Sequence, residues 1–124
     1  MKKTGTILLS IFTLVTLQAQ NNKFNLLIGT YTQSCDSKGI YVYDFDSKTG
    51  DFSFKNATEK VVNPSYLTVS KENKYVYSVN EFGAESTVSS FSYNQTSGKL
   101  DLINTQSSKG ADPCYMINDD KNVI

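Results

Sequence analysis

The chain has no histidine, no arginine and no tryptophan, and only two prolines and two cysteines in 124 residues. Without arginine, no bidentate guanidinium can recognise a phosphate from within this chain. Without histidine, a nucleophilic cysteine lacks its usual base and a metal lacks its usual nitrogen ligand. The acids show no spaced ligand set and the cysteines, Cys35 and Cys114, lie far apart, so no metal site is expected. Twelve Lys balance twelve acids, and a net charge of zero gives no electrostatic reason to expect nucleic acid as a partner.

What is present divides into two parts. Lys2 and Lys3 precede an apolar run from Ile7 to Leu17, and Leu17-Gln18-Ala19 offers a cleavage site. The run is short for a membrane span, so residues 1–19 are expected to be a removable signal peptide, with a core helix as the alternative. The protein is then expected to be exported, with no membrane attachment after cleavage. Export permits a disulfide between Cys35 and Cys114 without requiring one, and two thiols are the plainer expectation.

From Phe24 onward the sequence predicts β structure throughout. Leu26–Ile28 is a short apolar run, Phe52 and Phe54 alternate with polar residues, and Ile40–Phe45, Tyr66–Val69 and Tyr75–Val79 are further strand-like segments rich in aromatic and β-branched residues, with polar turns between them. The segment 40–52 also lies over 88–100 at an offset of forty-eight. Both copies run strand, Asp46 or Asn94, a polar turn with Gly50 or Gly98 in fifth place, then strand. Asn63-Pro64 recurs as Asp112-Pro113, and Ile28-Gly-Thr-Tyr31 matches Val79-Asn-Glu-Phe82. Repeats of forty to fifty residues with four short strands mark a β-propeller blade. A β-sandwich also has short, evenly spaced strands, but its strands need not repeat in sequence. The fold class expected is all-β, a β-propeller, with residues 20–124 supplying about two blades and the start of a third. The chain is accordingly expected to be the N-terminal part of a longer protein and to need the remaining blades.

Five motifs occur in order: Ile28-Gly-Thr-Tyr-Thr32, Gly39-Ile-Tyr-Val-Tyr43, Asn63-Pro-Ser-Tyr-Leu67, Tyr77-Ser-Val-Asn-Glu81 and Gly110-Ala-Asp-Pro-Cys114. Together they resemble the lactonase family of seven-bladed β-propellers, which includes 6-phosphogluconolactonase and carboxymuconate-lactonising enzymes. The resemblance implies hydrolysis of a sugar lactone to its acid at one mouth of the central channel, without an organic cofactor. The competing expectation is a non-catalytic exported propeller that binds a carbohydrate or protein partner. Where the family commonly has histidine after Pro-Cys, this chain has Tyr115, a neutral donor and a poor base.

Lactone hydrolysis needs an activated water and donors for the developing oxyanion. Glu81, just past the Tyr77–Val79 strand, is the expected catalytic acid group, as base or as holder of a sugar hydroxyl. Tyr31, Asn80, Asp112 and Tyr115 are the expected substrate-binding residues. Each has a plainer role beside it: packing for Tyr31 and Tyr115, a turn for Asn80, and turn initiation before proline for Asp112. Cys114 corresponds to Ser65 of the preceding repeat, which points to a small half-buried residue rather than a nucleophile.

Overall fold

The computed structural model describes residues 21–119, so the segment read as a signal peptide lies outside the described residues. Seven strands form two antiparallel sheets. The first contains β1 (Lys23–Gly29), β2 (Ile40–Asp46) and β3 (Phe52–Ala57), in that order. The second contains β4 (Pro64–Val69), β5 (Tyr75–Asn80), β6 (Thr87–Asn94) and β7 (Lys99–Ser107). Each strand pairs with its sequence neighbour, and the sheets stack face to face as consecutive blades.

The repeated turn is built as the glycine spacing predicts. Asp46 Oδ1 accepts from Lys48 N at 2.8 Å while Gly50 N donates to Asp46 O at 2.8 Å. In the second copy Asn94 Oδ1 accepts from Ser97 N at 3.0 Å and Gly98 N donates to Asn94 O at 2.8 Å. Gly50 and Gly98 have φ of 80° and 71°, the left-handed region that closes this hairpin.

Strand register corrects one detail of the sequence match. Tyr41 and Ser89, forty-eight apart, pair with Ile28 and Ser78, which are fifty apart rather than fifty-one. One residue of shift moves a side chain to the other face of a strand. Ile28 therefore corresponds to Ser78, and the apolar resemblance of Ile28 to Val79 joined opposite faces. With that register, Leu26–Tyr43–Phe54 forms the same cross-strand row in the first blade as Val76–Phe91–Leu102 in the second.

Between the blades Ile40 and Val42 meet Val76, Phe91 and Leu100, flanked by Leu27, Val61, Leu67 and Tyr93. Phe91 alone, fully buried, contributes roughly 2–3 kcal/mol by removal from water. In the first blade Leu26, the counterpart of fully buried Val76, is 36% exposed, and Tyr43, the counterpart of Phe91, is only half-buried. Among the described residues, β1 also has no inner neighbour equivalent to β4. At the upper end of the interface the main chains come close, since a Cβ on Gly29 would stand 2.2 Å from the Pro64 carbonyl oxygen.

Candidate site at the upper rim

The ends of β1 and β5, the start of β4 and the segment 112–115 converge on one rim. Asn63 organises it. This buried residue has a φ of 38°, a conformation that Asn tolerates better than most side chains. Its Oδ1 accepts from Thr32 N at 2.9 Å, and its Nδ2 donates to Gln33 Oε1 at 2.9 Å and to Glu81 O at 2.8 Å. Glu81 N in turn donates to Asn63 O at 3.1 Å. One side chain thereby fixes both the loop after β1 and the residue after β5.

That framework brings Tyr31 and Glu81 together. The Tyr31 hydroxyl donates to Glu81 Oε2 at 2.6 Å, bridging the two blades. The Ser65 hydroxyl lies close to the same carboxylate from β4. Its oxygen is buried and has no hydrogen-bond partner among the described residues. Ser65 first, and Tyr31 second, hold the Glu81 carboxyl below the usual carboxylate range, with burial opposing them. The Tyr31 hydroxyl is pushed up by its bond to Glu81, by burial and by the charge of Glu81, with smaller contributions from Cys114 and Asp112.

Tyr115, 63% exposed, packs on Tyr66 with ring centroids 4.9 Å apart and planes inclined by 55°. These two tyrosines hold matching positions of consecutive repeats, so the side chain expected at the rim also stacks on its counterpart. Asp112 Oδ1 accepts from Gly83 N at 2.7 Å and Asp112 N donates to Ser86 Oγ at 3.0 Å. Asp112 thus pins the loop after β5 while lying near enough to Tyr31 to act on its hydroxyl. Cys114 is an exposed free thiol whose Sγ lies 3.2 Å from Asp112 O, and Cys35 is likewise exposed and free.

Asn80 stands apart from this cluster. Side chains alternate along β5, and Asn80 turns towards the first blade. Its Nδ2 donates to Thr87 Oγ1 at 3.0 Å and Ser89 Oγ at 2.7 Å, and its Oδ1 accepts from Ser78 Oγ at 2.7 Å. Only 4% of it is exposed, beside an inter-blade cavity of about 470 Å³ that Thr32, Val62 and Phe82 help to line. Two residues of the rim were missed by sequence reasoning, Ser65 and Asn63. The signal for both was present in the repeat, as counterparts of Cys114 and Asp112. Among the described residues, no three His, Cys, Asp or Glu side chains gather as a metal-ligand set.

Comparison with known proteins agrees with this architecture. A 6-phosphogluconolactonase of Bacillus subtilis (strain 168) is 32% identical over 95 residues, covering 77% of this chain and 27% of the relative. One from Formosa agariphila is 29% identical over 93 residues, covering 73% and 26%. The chain thus spans about a quarter of the length of these curated relatives. Among solved structures, a Bacteroides fragilis protein aligns at 44% identity and a TM-score of 0.78, covering 83% of this chain and 29% of that one. The periplasmic gluconolactonase of Pseudomonas aeruginosa aligns at 32% identity and a TM-score of 0.70, covering 76% and 27%. No helix among the described residues is long and apolar enough to cross a membrane. The family model described as "Lactonase, 7-bladed beta-propeller" matches residues 25–124, and the chain belongs to that family.

Proposed function

We propose that this chain forms part of the channel mouth of an exported sugar-lactone hydrolase. In that reaction a water oxygen bonds to the lactone carbonyl carbon, the ring C–O bond breaks, and the former ring oxygen takes a proton to give the hydroxy acid. The reading is carried by Glu81, a carboxylate at the rim hydrogen-bonded by Tyr31 across the blade interface. A general base works best with a pKa near the operating pH, and Glu81 is displaced the other way. Its role is therefore to accept a hydrogen bond from a sugar hydroxyl or from the attacking water. Tyr115, standing out from its stack on Tyr66, offers an aromatic edge and a hydroxyl to the sugar. The remaining catalytic groups belong to further blades, one of which also covers Leu26.

The substrate proposed is an unphosphorylated sugar lactone. Beside the Tyr31 hydroxyl stand the carboxylates of Glu81 and Asp112. A phosphate would meet carboxylates there. Export fits the same choice, given Lys2, Lys3 and the apolar run to Leu17. The test is acid release by the full-length protein from gluconolactone and from 6-phosphogluconolactone, above the spontaneous rate. The expected result is turnover of the first in preference to the second. No excess with either substrate between pH 5 and 8 would overturn the reading.

A further inference from the structure

We propose that Tyr31 is a positioning residue that clamps the Glu81 carboxylate from the preceding blade and makes it a fixed hydrogen-bond acceptor. The inference rests on the reading of Glu81 as the group that meets substrate, and it adds a residue that acts through Glu81.

An unrestrained glutamate at a channel rim samples many rotamers, and ordering it costs side-chain entropy. Here the restraint is built from rigid parts. Tyr31 sits between two pinned neighbours: Thr30 N donates to Gly39 O at 2.8 Å, and Thr32 N donates to Asn63 Oδ1 at 2.9 Å. The backbone of Glu81 is held on both sides by the same Asn63. The phenol of one blade and the carboxylate of the next thus have a common anchor, and 2.6 Å is a short, charge-assisted contact. The buried Ser65 hydroxyl has no hydrogen-bond partner among the described residues, so the hold on the carboxylate is that of Tyr31.

The groups around the pair do not offer a different account. Asp112 and Cys114 act on the Tyr31 hydroxyl and raise it, keeping the phenol a neutral donor. The influences on Glu81 are Ser65, Tyr31 and burial. Both hydroxyls favour the ionised carboxylate, which remains an acceptor below the pH at which an ordinary glutamate gains its proton, about 4.3.

The test is the titration of Glu81 in the full-length protein labelled with 13C at glutamate side-chain carboxyls, its resonance assigned by loss in Glu81→Gln. The expected midpoint lies below the ordinary glutamate value and moves up in Tyr31→Phe. The acid limb of the pH–rate profile should move with it, and kcat/KM should fall roughly tenfold in that variant. A midpoint unmoved in Tyr31→Phe overturns the clamp. A protein with the shifted midpoint but no lactone turnover overturns the lactonase reading and leaves the clamp standing. Tyr31→Phe should retain the parent's amide spectrum, since Tyr31 is 55% exposed and the change removes a single oxygen.

Discussion

Asn63 and Asp112 perform the same structural task forty-nine residues apart. Each precedes a proline and has a positive φ, 38° and 44°. Each accepts a backbone N–H from the loop of the preceding strand pair, Thr32 N at 2.9 Å and Gly83 N at 2.7 Å. The residue before proline avoids the α region, and Asn and Asp are among the few non-glycine side chains that enter the left-handed one. This requirement explains the Asx-Pro pairs that the repeat displays.

The latch predicts a graded response at Asp112. Asp112→Asn keeps an oxygen acceptor and the tolerance for positive φ, so stability should change by less than about 0.5 kcal/mol. Asp112→Ala loses both and should cost about 1–3 kcal/mol. Asn63→Ala, at a residue only 1% exposed with more partners, should cost more than Asp112→Ala. Urea midpoints of the three variants check the order, and equal losses in Asp112→Asn and Asp112→Ala would show that the latch is not what matters there.

Much of this fold is legible in the sequence because its devices are local. Gly50 and Gly98, Asp46 and Asn94, and the two Asx-Pro pairs each act within a few residues and recur at nearly constant spacing. The β1–β5 register was less legible, because matching Ile28 with Val79 by apolarity cannot say which face either residue takes. At the site, Glu81 and Tyr31 could be named from their place beside strand ends, yet their contact depends on two blades stacking. Asn80 shows the opposite limit. Its neighbours Thr87 and Ser89 lie on another strand, and only the pairing of β5 with β6 reveals that its amide is already engaged.

Close approach at the rim predicts that Gly29 tolerates no side chain. A Cβ there would stand 2.2 Å from the Pro64 carbonyl oxygen, so β1 and β4 must separate to admit it. Gly29→Ala should cost about 3 kcal/mol. At Gly50 nothing lies within 4 Å of the added carbon, and only the φ of 80° opposes it, at about 1 kcal/mol. Thermal or urea unfolding of the two variants decides the matter, and a cost at Gly50 equal to that at Gly29 would contradict the steric argument.

The lower end of the blade interface has its own polar clasp. Asn25 Nδ2 donates to Tyr93 Oη at 2.5 Å and to Gln95 O at 2.8 Å, while its Oδ1 accepts from Lys55 Nζ at 2.9 Å. Lys55 also pairs with Asp44 at 2.8 Å and lays its stem over Gly98. Asn25→Leu should therefore destabilise by about 1–3 kcal/mol through partners left unpaired. A double-mutant cycle with Tyr93→Phe should show coupling between the two positions. Additive effects would mean that the clasp links the blades in geometry but not in energy.

The depressed Glu81 carboxyl predicts a signature in acid that does not depend on catalysis. A carboxyl whose folded pKa lies below its unfolded value contributes stability that is fully present above the unfolded pKa, about 4.3. That contribution disappears as pH falls through the lower, folded value, where both states carry the proton. Glu81→Gln removes the titrating group, so its urea midpoint should decline less than that of the parent protein between pH 5 and pH 3. Tyr31→Phe should lie between the two, because Ser65 still favours the ionised form. The comparison is made at constant ionic strength, since a group this near the surface is screened by salt. Parallel curves for all three proteins would place the acid sensitivity in other carboxylates, with the Lys23–Asp46 pair at 2.8 Å the first to examine.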